Sequence, residues 1–114
     1  MPKAVFMKAG ESIKEVKRVG KLYRNVIKMD KMEANVTHMP PGTKSQPFKH
    51  KGQEIHIMIK GEVEFHVGGE KFIMQEGDML YHHSEVPHHA ANHGCYESVY
   101  VTISTPPSFP VFEK

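Results

Sequence analysis

The sequence predicts an all-β fold, closed into a small barrel or sandwich within a single domain. Three observations lead there. Short runs rich in Val, Ile, Tyr and Phe recur at near-regular intervals between Gly, Pro and Asp punctuation, the pattern of short antiparallel strands. Glu54 to Ile59 and Glu62 to Val67 alternate in polarity and are joined by Lys60-Gly61, a link of hairpin length. A chain of 114 residues is long enough for one core and too short for a barrel plus a DNA-binding module.

Taken in order, residues 1 to 21 place Val5, Phe6, Ile13, Val16 and Val19 among lysines, with breaks at Gly10 and Gly20. The period is ambiguous, so the segment reads as irregular with short strands. Leu22 to Lys28 and Met32 to Met39 read as strands joined at Met29-Asp30-Lys31, the second ended by Pro40-Pro41-Gly42. After the 54–67 hairpin, Gly68-Gly69 turns, Lys71 to Gln75 extends, Glu76-Gly77-Asp78 turns and Met79 to His82 extends. Pro87 redirects the chain, and Tyr96 to Ser104 forms a last strand rich in Val, Tyr, Thr and Ile. Thr105 to Pro110 holds three prolines and is expected to lie over the surface as an extended strap. The expected organisation is a basic arm over 1–31 that joins the barrel or a dimer contact, a barrel over 32–107, and a tail over 108–114.

Charge is uneven. Residues 1 to 31 carry nine Lys or Arg against three acids, and the remainder six against ten. Without interleaved aromatics or a helix-turn-helix pattern, the arm is expected to guard strand edges rather than bind nucleic acid. No long apolar run and no charged-then-apolar leader is present, so no membrane partner is expected. The single cysteine, Cys95, forbids an internal disulfide and fits a reducing, cytoplasmic setting.

Chemistry concentrates between Gly42 and Asn92. His50 and Glu54 are four residues apart, roughly 13 Å on a straight strand, too far for one ion to touch both. The chain must bend between them, and Lys51-Gly52-Gln53 supplies the bend. His88 arrives much later, so a closed fold must return it. Gly42, Phe48, His50, Glu54 and Gly61 are spaced as the first cupin motif, with Phe48 where the first histidine would stand, and Gly77, His88 and Asn92 are spaced as the second, with His83 and Glu85 at its proline and glycine. The chain therefore resembles the cupin superfamily over about residues 32 to 107, in particular the small single-barrel, cupin-2 type and the sensory barrel of helix-turn-helix cupin regulators. The resemblance implies a jelly-roll barrel (a double-stranded β-helix), a divalent ion on His50, Glu54 and His88, and a homodimer.

Strand parity refines the site. If Glu54 points inward, so do His56 and Met58, while Ile55, Ile57 and Ile59 point outward. A buried glutamate needs a cation or hydrogen bonds. Two histidines and one carboxylate with open positions suit Fe(II), and Mn, Ni or Zn would accept the same set. His56, about 6.6 Å beyond Glu54, is a candidate to replace the missing ligand at Phe48, and otherwise the candidate general base or hydrogen-bonding group. His82, His83, His89 and His93 are expected mostly to face solvent or cap the mouth. His66 is expected to be exposed, Tyr81, Phe72 and Met74 to be core, and Phe48 to point into the pocket. The outward isoleucines need a cover, either the N-terminal strands or a symmetric partner.

Two functions follow. One is a metal-dependent enzyme, of dioxygenase or isomerase type, acting on a small molecule in the barrel. The other is a non-catalytic ligand-binding or sensor barrel. Phe48 in place of a ligand leaves room for a third case, a pocket without metal.

Overall fold

The computed structural model describes residues 3–8, 16–19, 22–45, 47 and 49–107. These form nine strands: β1 Val16–Val19, β2 Leu22–Lys28, β3 Glu33–Met39, β4 Gln53–Lys60, β5 Val63–Val67, β6 Glu70–Met74, β7 Met79–His83, β8 His88–Ala91 and β9 Ser98–Thr105. A six-stranded sheet runs β1-β2-β3-β9-β4-β7 and a three-stranded sheet runs β6-β5-β8. Every pairing is antiparallel, so the all-β jelly roll expected from the sequence is the architecture formed.

Each expected strand is present within a residue or two at its ends. The exception is β8, where the sequence showed only a redirection at Pro87. His88-His89-Ala90-Ala91 lacks the β-branched alternation that marks a strand. It becomes one because it pairs with β5, Val67 opposite His88 and Phe65 opposite Ala90. The proposed strap begins at Thr105, but its residues from 108 onward lie outside the described residues.

The turn that separates His50 from Glu54 depends on Gly52. Its φ is +103°, and a Cβ there would lie 2.3 Å from the Thr105 carbonyl oxygen and 2.7 Å from Pro106 Cδ. Backbone atoms cannot swing aside as a long side chain can. Gly52→Ala is therefore expected to destabilise the fold by about 2 to 4 kcal/mol, whereas Gly69→Ala, with nothing within 4 Å of its Cβ, should change it little. Chemical denaturation of the two variants checks the difference.

The inner face of the large sheet is graded along its strands. Pairing aligns Glu33, Ser104, Glu54 and His82 in one row, then Asn35, Thr102, His56 and Leu80, then Thr37, Tyr100 and Met58. One end of the barrel is thus polar. The other is filled by Leu22, Met39, Met58, Val63, Phe65, Met74 and Ala90, with Tyr100 against them. Between the two ends the buried Arg24 guanidinium donates to the Thr37 hydroxyl and, at 3.4 Å, to Tyr100.

The outer face of the same sheet is apolar. Register places Ile27, Ala34, Ile103, Ile55 and Tyr81 in one row and Val36, Val101, Ile57 and Met79 in the next. Strands β1 to β3 continue the sheet beyond β9. They extend it edge to edge and leave Ile55 40% and Ile59 53% exposed.

Candidate metal centre

His50, Glu54 and His88 come together, offering one ligand atom each within 4.8 Å of one another. His50 sits just before the Gly52 turn, Glu54 is the second residue of β4, and His88 opens β8. Ser84, fully buried, fastens this corner. Its backbone N–H donates to Gly52 O at 2.8 Å, its carbonyl accepts from His50 N at 2.9 Å, and its hydroxyl donates to Glu54 Oε2 at 2.8 Å.

Hydrogen bonding fixes how the imidazoles are presented. His88 Nδ1 lies 2.7 Å from Val86 O, and His50 Nδ1 lies 3.2 Å from Lys51 O. A carbonyl only accepts, so each Nδ1 carries a proton and each ring aims its Nε2 into the pocket. Both Nε2 atoms lie 3.2 Å from the same Glu54 oxygen, Oε2. Nitrogen and carboxylate lone pairs repel one another unless a proton or a cation sits between them; a proton serves in the cation-free chain, and a divalent ion would take its place.

Protonation obeys the same logic. Burial opposes the charged form of Glu54, but hydrogen bonds from His50 and His88 outweigh it and hold its carboxyl well below the usual carboxylate range. Burial likewise opposes charge on His50, yet the Glu54 hydrogen bond and charge raise its pKa above 6.5. His56 behaves differently. Burial, with Glu54 only partly offsetting it, lowers its pKa to about 3, far below the near-neutral value that suits a general base. Its Nδ1 lies 2.8 Å from Thr102 Oγ1 and its Nε2 lies 2.9 Å from His82 Nε2.

His82, grouped by sequence with the histidines expected mostly to face solvent or cap the mouth, is the one of them that turns inward beside Glu54. It is buried, and the pairing of β7 with β4 sets it opposite Glu54. A second set, Glu54, His56 and His82, also offers ligand atoms within 4.8 Å of one another. Ser84 and Thr102 were missed as well, because a lone serine or threonine carries no sequence signal of its role. Asn92 ties strands together, donating to Met39 O and Tyr96 O at 2.8 and 2.9 Å.

Other histidines lie apart. His66 faces outward beside Glu64, 2.8 Å away, and stacks on His89, while the exposed His93 reaches the same Glu64 oxygen at 3.2 Å. His83 and Cys95 are exposed. Met74 is core and Phe72 packs against it. Tyr81, expected in the core, is instead 51% exposed, since β7 parity puts it on the outer face opposite Ile55. Phe48, expected in the pocket, lies outside the described residues.

A narrow cavity of about 10 Å³, lined by Arg24, Glu54, His56, His88, Tyr100 and Thr102 among others, enters the polar end of the barrel. It has space for about one water molecule. Larger open hollows of ≈ 580 and ≈ 550 Å³ are lined by neither His50, Glu54 nor His88. We take the small cavity as the functional one because Glu54 and His88 of the donor cluster line it. No helix among the described residues is long and apolar enough to cross a membrane.

Comparison with known proteins agrees with this architecture. An RmlC-like cupin from Shewanella frigidimarina NCIMB 400 superposes with a TM-score of 0.77 at 17% identity, covering 91% of this chain and 92% of that one. KdgF from Halomonas sp. gives 0.71 at 19% identity, with 81% and 87% covered. DMSP lyase DddQ from Ruegeria pomeroyi DSS-3 gives 0.62 at 26% identity, covering 68% of this chain and 39% of that one. No curated protein gives a significant sequence match. A family pattern described as Cupin domain matches residues 35–104, more than half of the chain, which is therefore a member of the cupin domain family.

Proposed function

We propose that this cupin holds a divalent transition-metal cation on His50, Glu54 and His88 and acts on a small molecule at the polar end of its barrel, as an enzyme of dioxygenase or isomerase type. The observation that carries the reading is the pair of Nε2 atoms aimed at one Glu54 oxygen, each held there by an Nδ1–H bound to a backbone carbonyl. Fe, Mn, Ni and Zn all suit such a donor set. When bound, the ion supplies Lewis acidity or an oxygen-activating centre. The chain's own part is to orient the ligands through Lys51, Val86 and Ser84 and to line the cavity with the Arg24, Tyr100 and Thr102 polar groups. Resemblance to a DMSP lyase is in keeping with a small-molecule substrate.

A second reading, a non-catalytic binding or sensor barrel, is favoured by one observation. His56 is kept neutral with both nitrogens hydrogen-bonded within the chain, which leaves it poorly placed to move a substrate's protons. Turnover of a bound small molecule separates the two.

Protein purified without a nickel column is expected to contain metal by elemental analysis. His50→Ala or His88→Ala should weaken binding on the order of a hundredfold, since each removes one of three ligands. His66→Ala, on the outer face, should leave it unchanged. Equal metal content in His88→Ala and the parent chain would sink the assignment.

We also propose a cytoplasmic homodimer. The partner would cover the apolar rows of the large sheet, where Met79 is 71% exposed beside Ile55 and Tyr81. Sedimentation at micromolar concentration is expected to give twice the monomer mass, and Ile55→Lys should return it to one.

A further inference from the structure

The two oxygens of Glu54 face two different pairs of histidines. Oε2 takes His50 and His88, each 3.2 Å away, while Oε1 faces His56 Nε2 at 3.5 Å, which in turn meets His82 Nε2 at 2.9 Å. Glu54, His56 and His82 are all buried, and their ligand atoms lie within 4.8 Å of one another. The His82 ring packs 4.5 Å from that of His88, so the two pairs adjoin on either side of one carboxylate. We propose that Glu54, His56 and His82 form a second position for a divalent transition-metal cation, and that Glu54 bridges the two positions through its separate oxygens.

The hydrogen bonds around the second set favour this use. His82 Nδ1 lies 2.9 Å from His83 O, so it carries the proton and leaves Nε2 bare. In the cation-free chain His56 must therefore donate its Nε2–H to His82, and its Nδ1 accepts from the Thr102 hydroxyl. A cation needs that Nε2 bare too. His56 can comply by holding its proton on Nδ1 instead, because a hydroxyl turns from donor to acceptor without moving its heavy atoms. A backbone carbonyl at that place would have locked one tautomer. Threonine permits both, and the exchange releases no net proton. Two imidazoles and a carboxylate oxygen suit Zn, Ni, Co or Cu. Since both cations share a single negative charge, the second should bind more weakly, on the order of a hundredfold.

The proposal rests on the reading of His50 and His88 as ligands only through the shared Glu54. Titration of the metal-free full chain with Co(II), followed by calorimetry and by d–d absorbance, is expected to show a tight and a weaker event and to saturate at two cations per chain. His82→Ala should lose the weaker event alone, and His50→Ala the tighter one alone, with thermal melts confirming that both variants fold. With Zn(II), the ¹⁵N resonances of His56 should report its proton moving from Nε2 to Nδ1 as the second equivalent binds. The parent chain's stoichiometry decides even where a variant fails to fold. Saturation at one cation with the event kept in His82→Ala, or a weak event that survives His82→Ala, overturns the second position. A single event lost in His82→Ala and kept in His50→Ala overturns instead the assignment of His50 and His88 as ligands, and leaves His56 and His82 as the cation ligands.

Discussion

Glu54→Ala is expected to abolish cation binding and to lower the stability of the metal-free protein by about 3 kcal/mol at neutral pH, the scale of removing one partner from a buried ion pair. The effect should exceed that of any single histidine, because Glu54 is the hub of the cluster. It accepts from the buried Ser84 hydroxyl at 2.8 Å and faces His50, His88 and His56 at 3.2, 3.2 and 3.5 Å. Alanine strands all of these polar groups around a void. Glu54→Gln is the informative control. It keeps the volume and an acceptor for Ser84 but cannot neutralise a cation, so it should fold nearly as well as the parent and still bind metal poorly. Calorimetric metal titration and denaturant unfolding of both variants test this. Metal binding by Glu54→Ala at parental affinity would remove Glu54 from the site.

Acid is expected to unfold the metal-free protein with a steepening pH dependence below about 6.5. In the unfolded chain His56 takes up a proton near its ordinary pKa of 6.5, whereas in the fold burial lowers it to about 3. Between those values the unfolded state binds the extra proton, so stability falls as pH falls, by up to about 1.4 kcal/mol per pH unit for this group. His82, its pKa also lowered by burial, acts in the same direction. Below about 4.5 the Glu54 contribution is lost as well, since its folded pKa is depressed and the unfolded carboxylate protonates first. His50 has the opposite sign. Its raised pKa gives stability that is fully present below 6.5 and is lost as pH rises through its folded value. His56→Gln should therefore flatten the stability curve between pH 6.5 and 4.5 without altering the alkaline side. Denaturant midpoints measured across that range check it, and parallel curves for variant and parent would refute the account.

How much of this was legible beforehand depends on the distance over which each feature is decided. Strands β2 to β7 and β9 were readable because alternation and turn residues are local, and the inward parity of Glu54, His56 and Met58 follows from the two-residue period of a strand. The spacings that resemble cupin motifs carried His50, Glu54 and His88 into one pocket before any coordinates. What the spacing left open was orientation set by partners. Nothing in Met79-Leu80-Tyr81-His82-His83 says which histidine turns inward, since polar and apolar residues do not alternate cleanly there. Pairing with β4 decides it, placing His82 opposite Glu54 and sending Tyr81 to the outer face opposite Ile55. β8 exists because β5 offers it an unpaired edge. Ser84 and Thr102 matter through what lies across the barrel from them, Glu54 and His56. The sequence by itself determined the strand period, the barrel class of the fold and one set of candidate ligands. Tertiary structure alone decided which neighbours share Glu54, because a side chain's hydrogen-bond partner 30 or 46 residues away is chosen by strand register and leaves no local pattern.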